Sequence, residues 1–228
     1  MKTLITGMMA LLPLGVMAQE KPEVDFGIDF TSAYIWRGQE LGGVSIQPEI
    51  TVSYKGFYLS GWGNAGFDSE DPKEIDLTLG YETGGFSVSV TDYWTAGDTG
   101  YFHYGATNTS HTFEAQVGYD FGFLALNWFT NFAGYDGVNA EGNRAYSSYV
   151  SLEVPFRLGG FEWTAEVGAV PYATDFYNDG VNGFAVSDVG LKVQKEVAVT
   201  ERFSLPLFAK ISWNPATEGA YFACGLSF

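Results

Sequence analysis

The chain has 228 residues, 46% hydrophobic and 17% aromatic with 29 glycines, and a formal charge of -16 from 11 Lys and Arg against 27 Asp and Glu. That acidic balance excludes nucleic acid as a partner, since phosphate binding needs clustered cations. A single cysteine, Cys224, excludes an internal disulfide, and an aromatic-rich, Gly-rich, helix-poor composition indicates a β protein.

The first element is a secretory signal peptide over residues 1–18: Met1-Lys2, an apolar run from Leu4 to Val16, and a Val16-Met17-Ala18 cleavage site. The run is too short for a membrane helix, and the polar stretch Gln19 to Glu23 follows it at once. Cleavage after Ala18 leaves one domain, 19–228; Lys2 is the one charge removed, so -16 becomes -17. No later apolar run approaches the ~20 residues of a membrane helix. A membrane-embedded form must therefore be a barrel.

Twelve segments of about ten residues follow in which every second residue is apolar, the period of a strand with two unlike faces. They run 24–36, 44–54, 57–66, 75–81, 86–95, 113–121, 124–132, 145–155, 161–171, 186–196, 203–213 and 219–228. Alternation is poor in 57–66, which predicts a bulge or Gly kink there. The connections alternate in length. Lys55-Gly56, Thr83-Gly84-Gly85, Gly122, Leu158-Gly159-Gly160 and the region of Thr200-Glu201 are tight, whereas 64–73, 96–110, 133–144 and 172–183 are long.

Short periplasmic turns alternating with long external loops are the pattern of an outer-membrane barrel of a Gram-negative bacterium, with an even strand number and periplasmic termini. The chain closes on Ala220, Phe222, Cys224, Leu226 and a terminal Phe228. This resembles the terminal strand that barrel-assembly machinery reads. The expected fold is thus all-β, a transmembrane antiparallel up-and-down β-barrel of twelve strands in contact with outer-membrane lipids and lipopolysaccharide. A soluble β-sandwich or lipocalin-like barrel shares the alternation but turns its apolar face inward.

With the apolar set facing lipid, the lumen-lining set includes Glu49, Asp76, Glu114, Glu166 and Asp188 near mid-strand, with Lys192 and Lys210 as the opposing cations. Acids nearer strand ends, such as Asp25, Glu82, Asp120 and Glu162, face the lumen or periplasmic water. An electronegative lumen concentrates cations and excludes anions. Twelve strands ~4.8 Å apart and tilted ~40° give a backbone radius of roughly 12 Å, about half of it taken by side chains. A narrow passage and a loop-plugged barrel both fit that width.

Tyr34, Trp36, Trp94, Tyr101, Phe102, Tyr104, Tyr146, Trp163 and Trp213 fall where strands meet the interfaces and are expected to form aromatic girdles. His103 and His111 lie in or beside the long loop after the fifth strand, and Ser110-His111 is adjacent. Adjacency does not make a nucleophile and base, which need facing side chains, so no catalytic residue is assigned. The string Asp175-Phe176-Tyr177-Asn178-Asp179-Gly180 lacks the spacing of a calcium loop. No cofactor or metal is expected.

Residues 30–64 hold Phe30-Thr31-Ser32-Ala33-Tyr34, the pair Arg37-Gly38 after an aromatic, and Gly56-Phe57-Tyr58 followed by Trp62. In these features the chain resembles the Gcw_chp family, envelope proteins of unknown function that overlap with sets labelled as porins. The resemblance implies a barrel and an envelope location, and brings no substrate or catalytic residue. Within it, Trp36 reads as outward and Arg37 as inward at the external rim, pairing with an acidic wall residue, binding lipid phosphate, or standing in water.

These readings lead to a narrow passive channel for small hydrophilic solutes with cation preference. The alternatives are a closed barrel with a structural or surface-interaction role, and an outer-membrane lipid hydrolase.

Overall fold

The computed structural model describes residues 21–177, 183–200 and 203–228. The signal segment 1–18, Asp179-Gly180 and Glu201 lie outside the described residues. Among the described residues every regular element is a strand: β1 (Glu23–Thr31), β2 (Tyr34–Trp36), β3 (Gln39–Gly42), β4 (Ser45–Tyr54), β5 (Phe57–Gly66), β6 (Lys73–Thr83), β7 (Phe86–Thr95), β8 (His111–Asp120), β9 (Ala125–Gly134), β10 (Ser148–Leu158), β11 (Phe161–Val170), β12 (Ala185–Thr200), β13 (Phe203–Asn214) and β14 (Gly219–Ser227). β1 and β4 to β14 form a closed antiparallel barrel of twelve strands, and β2–β3 is a separate hairpin.

Closure is made by β1 against β14, with Asp29 opposite Ser227 and Thr31 opposite Gly225. Phe228 exchanges backbone hydrogen bonds of 3.1 and 3.0 Å with Ile28. Its ring also meets Phe30 edge-on at 6.3 Å. The last residue thus completes the seam, so that no edge strand is left unpaired.

Turn chemistry explains the tight end of the barrel. Lys55-Gly56 and Gly84-Gly85 both have two successive positive φ values (52° and 85°; 56° and 86°), as do Gly159-Gly160 (64° and 77°). Two-residue loops of this hand match the twist of the paired strands. The other end carries 32–44, 67–72, 96–110, 135–147 and 171–177, and among the described residues the β13–β14 connection there is short.

Alternation then sorts the side chains. Phe26 is 75% exposed and Leu79 61% exposed, on the outer face with Ile50, Val52, Val117, Trp128 and Phe222. Inward lie Ser45, Thr51, Asp76, Ser89, Gln116, Asn127 and Ser151, all buried. A soluble barrel has the reverse arrangement, with apolar side chains filling its interior.

Two sequence expectations need correction. The segment 24–36 is not one strand, because β1 ends at Thr31 and Tyr34–Trp36 turns into the barrel as β2. The segment 57–66 has no bulge; it pairs with β6 in unbroken register from Phe57–Tyr81 to Ala65–Lys73. Its alternation is obscured because Gly61 and Gly63 occupy outward positions while Tyr58 and Trp62 point inward. The register breaks fall elsewhere, between Phe113 and Glu114, Gly168 and Ala169, and Ala198 and Thr200.

Candidate functional site

The β2–β3 hairpin crosses the lumen at the long-loop end, and its turn is Arg37-Gly38, with φ of 48° and 77°. The left-handed conformation is costly for a bulky residue such as Arg37 and persists where surrounding contacts fix it. Gly38 accepts a hydrogen bond of 3.0 Å at its carbonyl from Asn214 Nδ2. A Cβ at Gly38 would overlap the Ser187 carbonyl, so only glycine lets the turn seat against β12.

From this fixed turn Arg37 reaches the opposite wall. Its Nη1 and Nη2 donate to the two carboxylate oxygens of Glu114 at 2.6 and 2.8 Å, a bidentate pair. Nη1 also donates to the Tyr177 hydroxyl, and Tyr93 donates to Glu114 Oε1 at 2.8 Å. The guanidinium lies over the rings of Phe129 (4.1 Å), Trp36 (4.4 Å) and Tyr149 (4.8 Å). Cation–π attraction is strongest where water is excluded, and Arg37 is 8% and Glu114 2% exposed. Burial pushes the phenol of Tyr177, in the loop after β11, well above its ordinary value, so it stays a neutral donor and acceptor.

The network continues down the wall. Tyr149 donates to Glu166 at 3.2 Å. Lys210 stands 3.8 Å from both Glu166 and Asp188, and Ser212 donates to Asp188 at 2.6 Å. Below the hairpin, Ser60 donates to Glu49 at 2.9 Å and Ser227 to Asp29 at 2.6 Å, while Lys192 lies 5.2 Å from the centre of the Phe208 ring.

Glu49, Asp76, Glu114, Glu166, Asp188, Lys192 and Lys210 lie on the inner face of the wall, and Arg37 enters from the hairpin. Arg37 neither stands in water nor faces lipid; it is drawn inside because Glu114 and the rings of Trp36, Phe129, Tyr149 and Tyr177 enclose its charge. Trp36 and Tyr34 likewise leave the expected girdle. Trp36 packs against Tyr93, Phe176 and Tyr177, and Tyr34 donates to Glu74 at 3.0 Å.

Between the hairpin and the 96–110 loop lies a cavity of about 640 Å³, bordered by Tyr34, Trp36, Glu74, Tyr93, Asn108, Asn131, Tyr135 and Phe176 among others.

His111 is not in the lumen. It pairs with Trp94, and Phe113 with Asp92, on the outer face near the long-loop end. His111 Nδ1 meets Asp92 Oδ1 at 2.8 Å, its Nε2 meets the Tyr101 carbonyl, and Tyr104 stacks on the ring at 4.1 Å. Both ring nitrogens are thus engaged, and Ser110 Oγ accepts from Thr99 at 2.9 Å. Tyr101 and Tyr104 pack with this cluster against the outer wall.

Loop carboxylates bind loop backbone. Asp71 accepts from Gly43 N–H at 2.9 Å, and Asp136 from Gly137 N–H at 2.8 Å. Asp175, in the loop after β11, accepts from Val138 N–H at 2.5 Å. Among the described residues no three His, Cys, Asp or Glu side chains form a metal-binding group.

Sequence reasoning missed Tyr93, Phe129, Tyr149 and Tyr177. The first three stand at positions the alternation assigns to the polar face. Large rings at such positions narrow the lumen.

No protein-family model matches this chain, and no curated protein matches it.

Proposed function

We propose that the chain is an outer-membrane β-barrel that passes small hydrophilic solutes, cations in preference to anions, through a lumen narrowed by its own first loop. The apolar outer face and polar interior support insertion in a bilayer with the long loops external. The resemblance of residues 30–64 to Gcw_chp envelope proteins points to the same location.

The observation that carries the cation preference is the charge of the interior. Asp29, Glu49, Glu74, Asp76, Glu114, Glu153, Glu166 and Asp188 face inward against Arg37, Lys192 and Lys210, eight carboxyl groups to three basic side chains. Asp76 is 9% exposed, and its Oδ1 has no hydrogen-bond partner among the described residues. In a low-dielectric wall such an excess attracts cations and repels anions. Purified protein in a planar bilayer under a salt gradient tests this. A reversal potential on the cation side is expected; one on the anion side defeats the proposal.

A second reading, a closed barrel that works through its surface, is favoured by the buried Arg37–Glu114 pair, which spans the lumen. It predicts no conductance, either in the natural protein or after Arg37 is replaced.

A further inference from the structure

We infer that the cavity at the long-loop end is a binding site for a neutral oligosaccharide. The inference rests on that end facing the outside of the cell, but not on conduction. Its volume of about 640 Å³ falls in the ~300–1,000 Å³ range of small-molecule sites.

The lining decides the class. Among the described residues no Lys or Arg borders the cavity, while Glu74 and Asp98 do, which disfavours an anionic ligand. Rings of Tyr34, Trp36, Tyr93, Tyr135 and Phe176 alternate with hydroxyls and amides such as those of Gln39, Thr99 and Asn108. Flat amphipathic rings beside neutral donors and acceptors suit a sugar, whose ring has an apolar C–H face and a hydroxyl rim.

Asn131 supplies an independent sign. It borders the cavity, is 1% exposed, and its Oδ1 has no partner among the described residues. Its Nδ2 donates to Asp136 at 3.2 Å, which fixes the amide and leaves the acceptor over. A buried acceptor without a donor is costly, and a ligand hydroxyl would satisfy it.

An organic cation is the competing class for an aromatic cavity. Here Arg37 already lies over Trp36 at 4.4 Å, so the cation–π position is occupied and a second cation beside it is repelled. Glu74 already accepts from Tyr34.

The experiment is titration calorimetry of the full detergent-solubilised barrel with maltotriose, cellotriose and chitotriose (N-acetylated), with trigalacturonate and choline as charged controls. Saturable binding of at least one neutral trisaccharide is expected, weakened about tenfold or more in Asn131→Leu through loss of its hydrogen bond. Tyr135→Ala, at an exposed rim position, should weaken it too and serves if Asn131→Leu does not fold. Binding of choline or trigalacturonate without any neutral sugar, no binding at all, or unchanged affinity in the folded variants would overturn the inference. A parallel titration with lipopolysaccharide micelles separates a surface glycan from a free oligosaccharide: preference for the micelles assigns the glycan, preference for the free sugar a diffusing solute. Sugar binding in a barrel that never conducts would uphold this inference while removing the channel reading.

Discussion

Arg37 and Glu114, 77 residues apart in sequence, face each other across the lumen and join through two hydrogen bonds of 2.6 and 2.8 Å. One comes from the tip of an inward hairpin, the other from the barrel wall. The pair ties the first loop to the wall.

Replacing Arg37 by Met keeps an apolar stem under the rings but leaves Glu114 buried without its counter-ion. Breaking a buried pair in this way costs about 3–5 kcal/mol. Unfolding should occur at a lower temperature, read from heat-modifiable gel migration, and single-channel conductance should rise as the hairpin leaves. The double variant Arg37→Met/Glu114→Leu should recover much of the lost stability, because no buried charge is left unpaired. By contrast, Arg157 and Glu162, 83% and 64% exposed, should contribute less than ~1 kcal/mol.

Gly38→Ala should act on the hairpin without touching its charge. The added methyl meets the Ser187 carbonyl, and the positive φ is unfavourable for alanine. Limited proteolysis between Thr31 and Ser45 should accelerate in this variant. Equal cleavage rates would show that the turn tolerates a side chain.

Lys210 lies between Glu166 and Asp188 at 3.8 Å from each. Lys210→Met removes one of the interior cations and should move the reversal potential further toward the cation limit. Asp188→Asn should move it back. Shifts in the opposite directions would mean that the charge of this wall does not govern permeation.

Cys224 is exposed and lies on the outer face of β14 with Phe222 and Leu226. A bimane attached there should be quenched by spin-labelled acyl chains in reconstituted vesicles and not by water-soluble iodide. Quenching by iodide alone would place this face in water.

The alternation of apolar and polar residues determined most of the barrel from sequence. β5 and β7 have the expected boundaries, and the inward acids follow from the period of two alone, because a strand's pleat assigns each residue a face. The tight turns were legible for a local reason as well: Lys55-Gly56 and Gly159-Gly160 require positive φ, which glycine supplies cheaply.

Only the tertiary structure decided what fills the lumen. Tyr34 and Trp36 continue the apolar rhythm of β1, and nothing local shows that the chain turns inward after Thr31. The hairpin that carries them is held through Arg37 by Glu114, Phe129 and Tyr149, which come from β8, β9 and β10, and by Tyr177 in a loop further on. A charge and a set of rings gain by meeting only once the barrel has closed around them. Local periodicity encodes the wall; the long-range pairing of Arg37 encodes the inward hairpin.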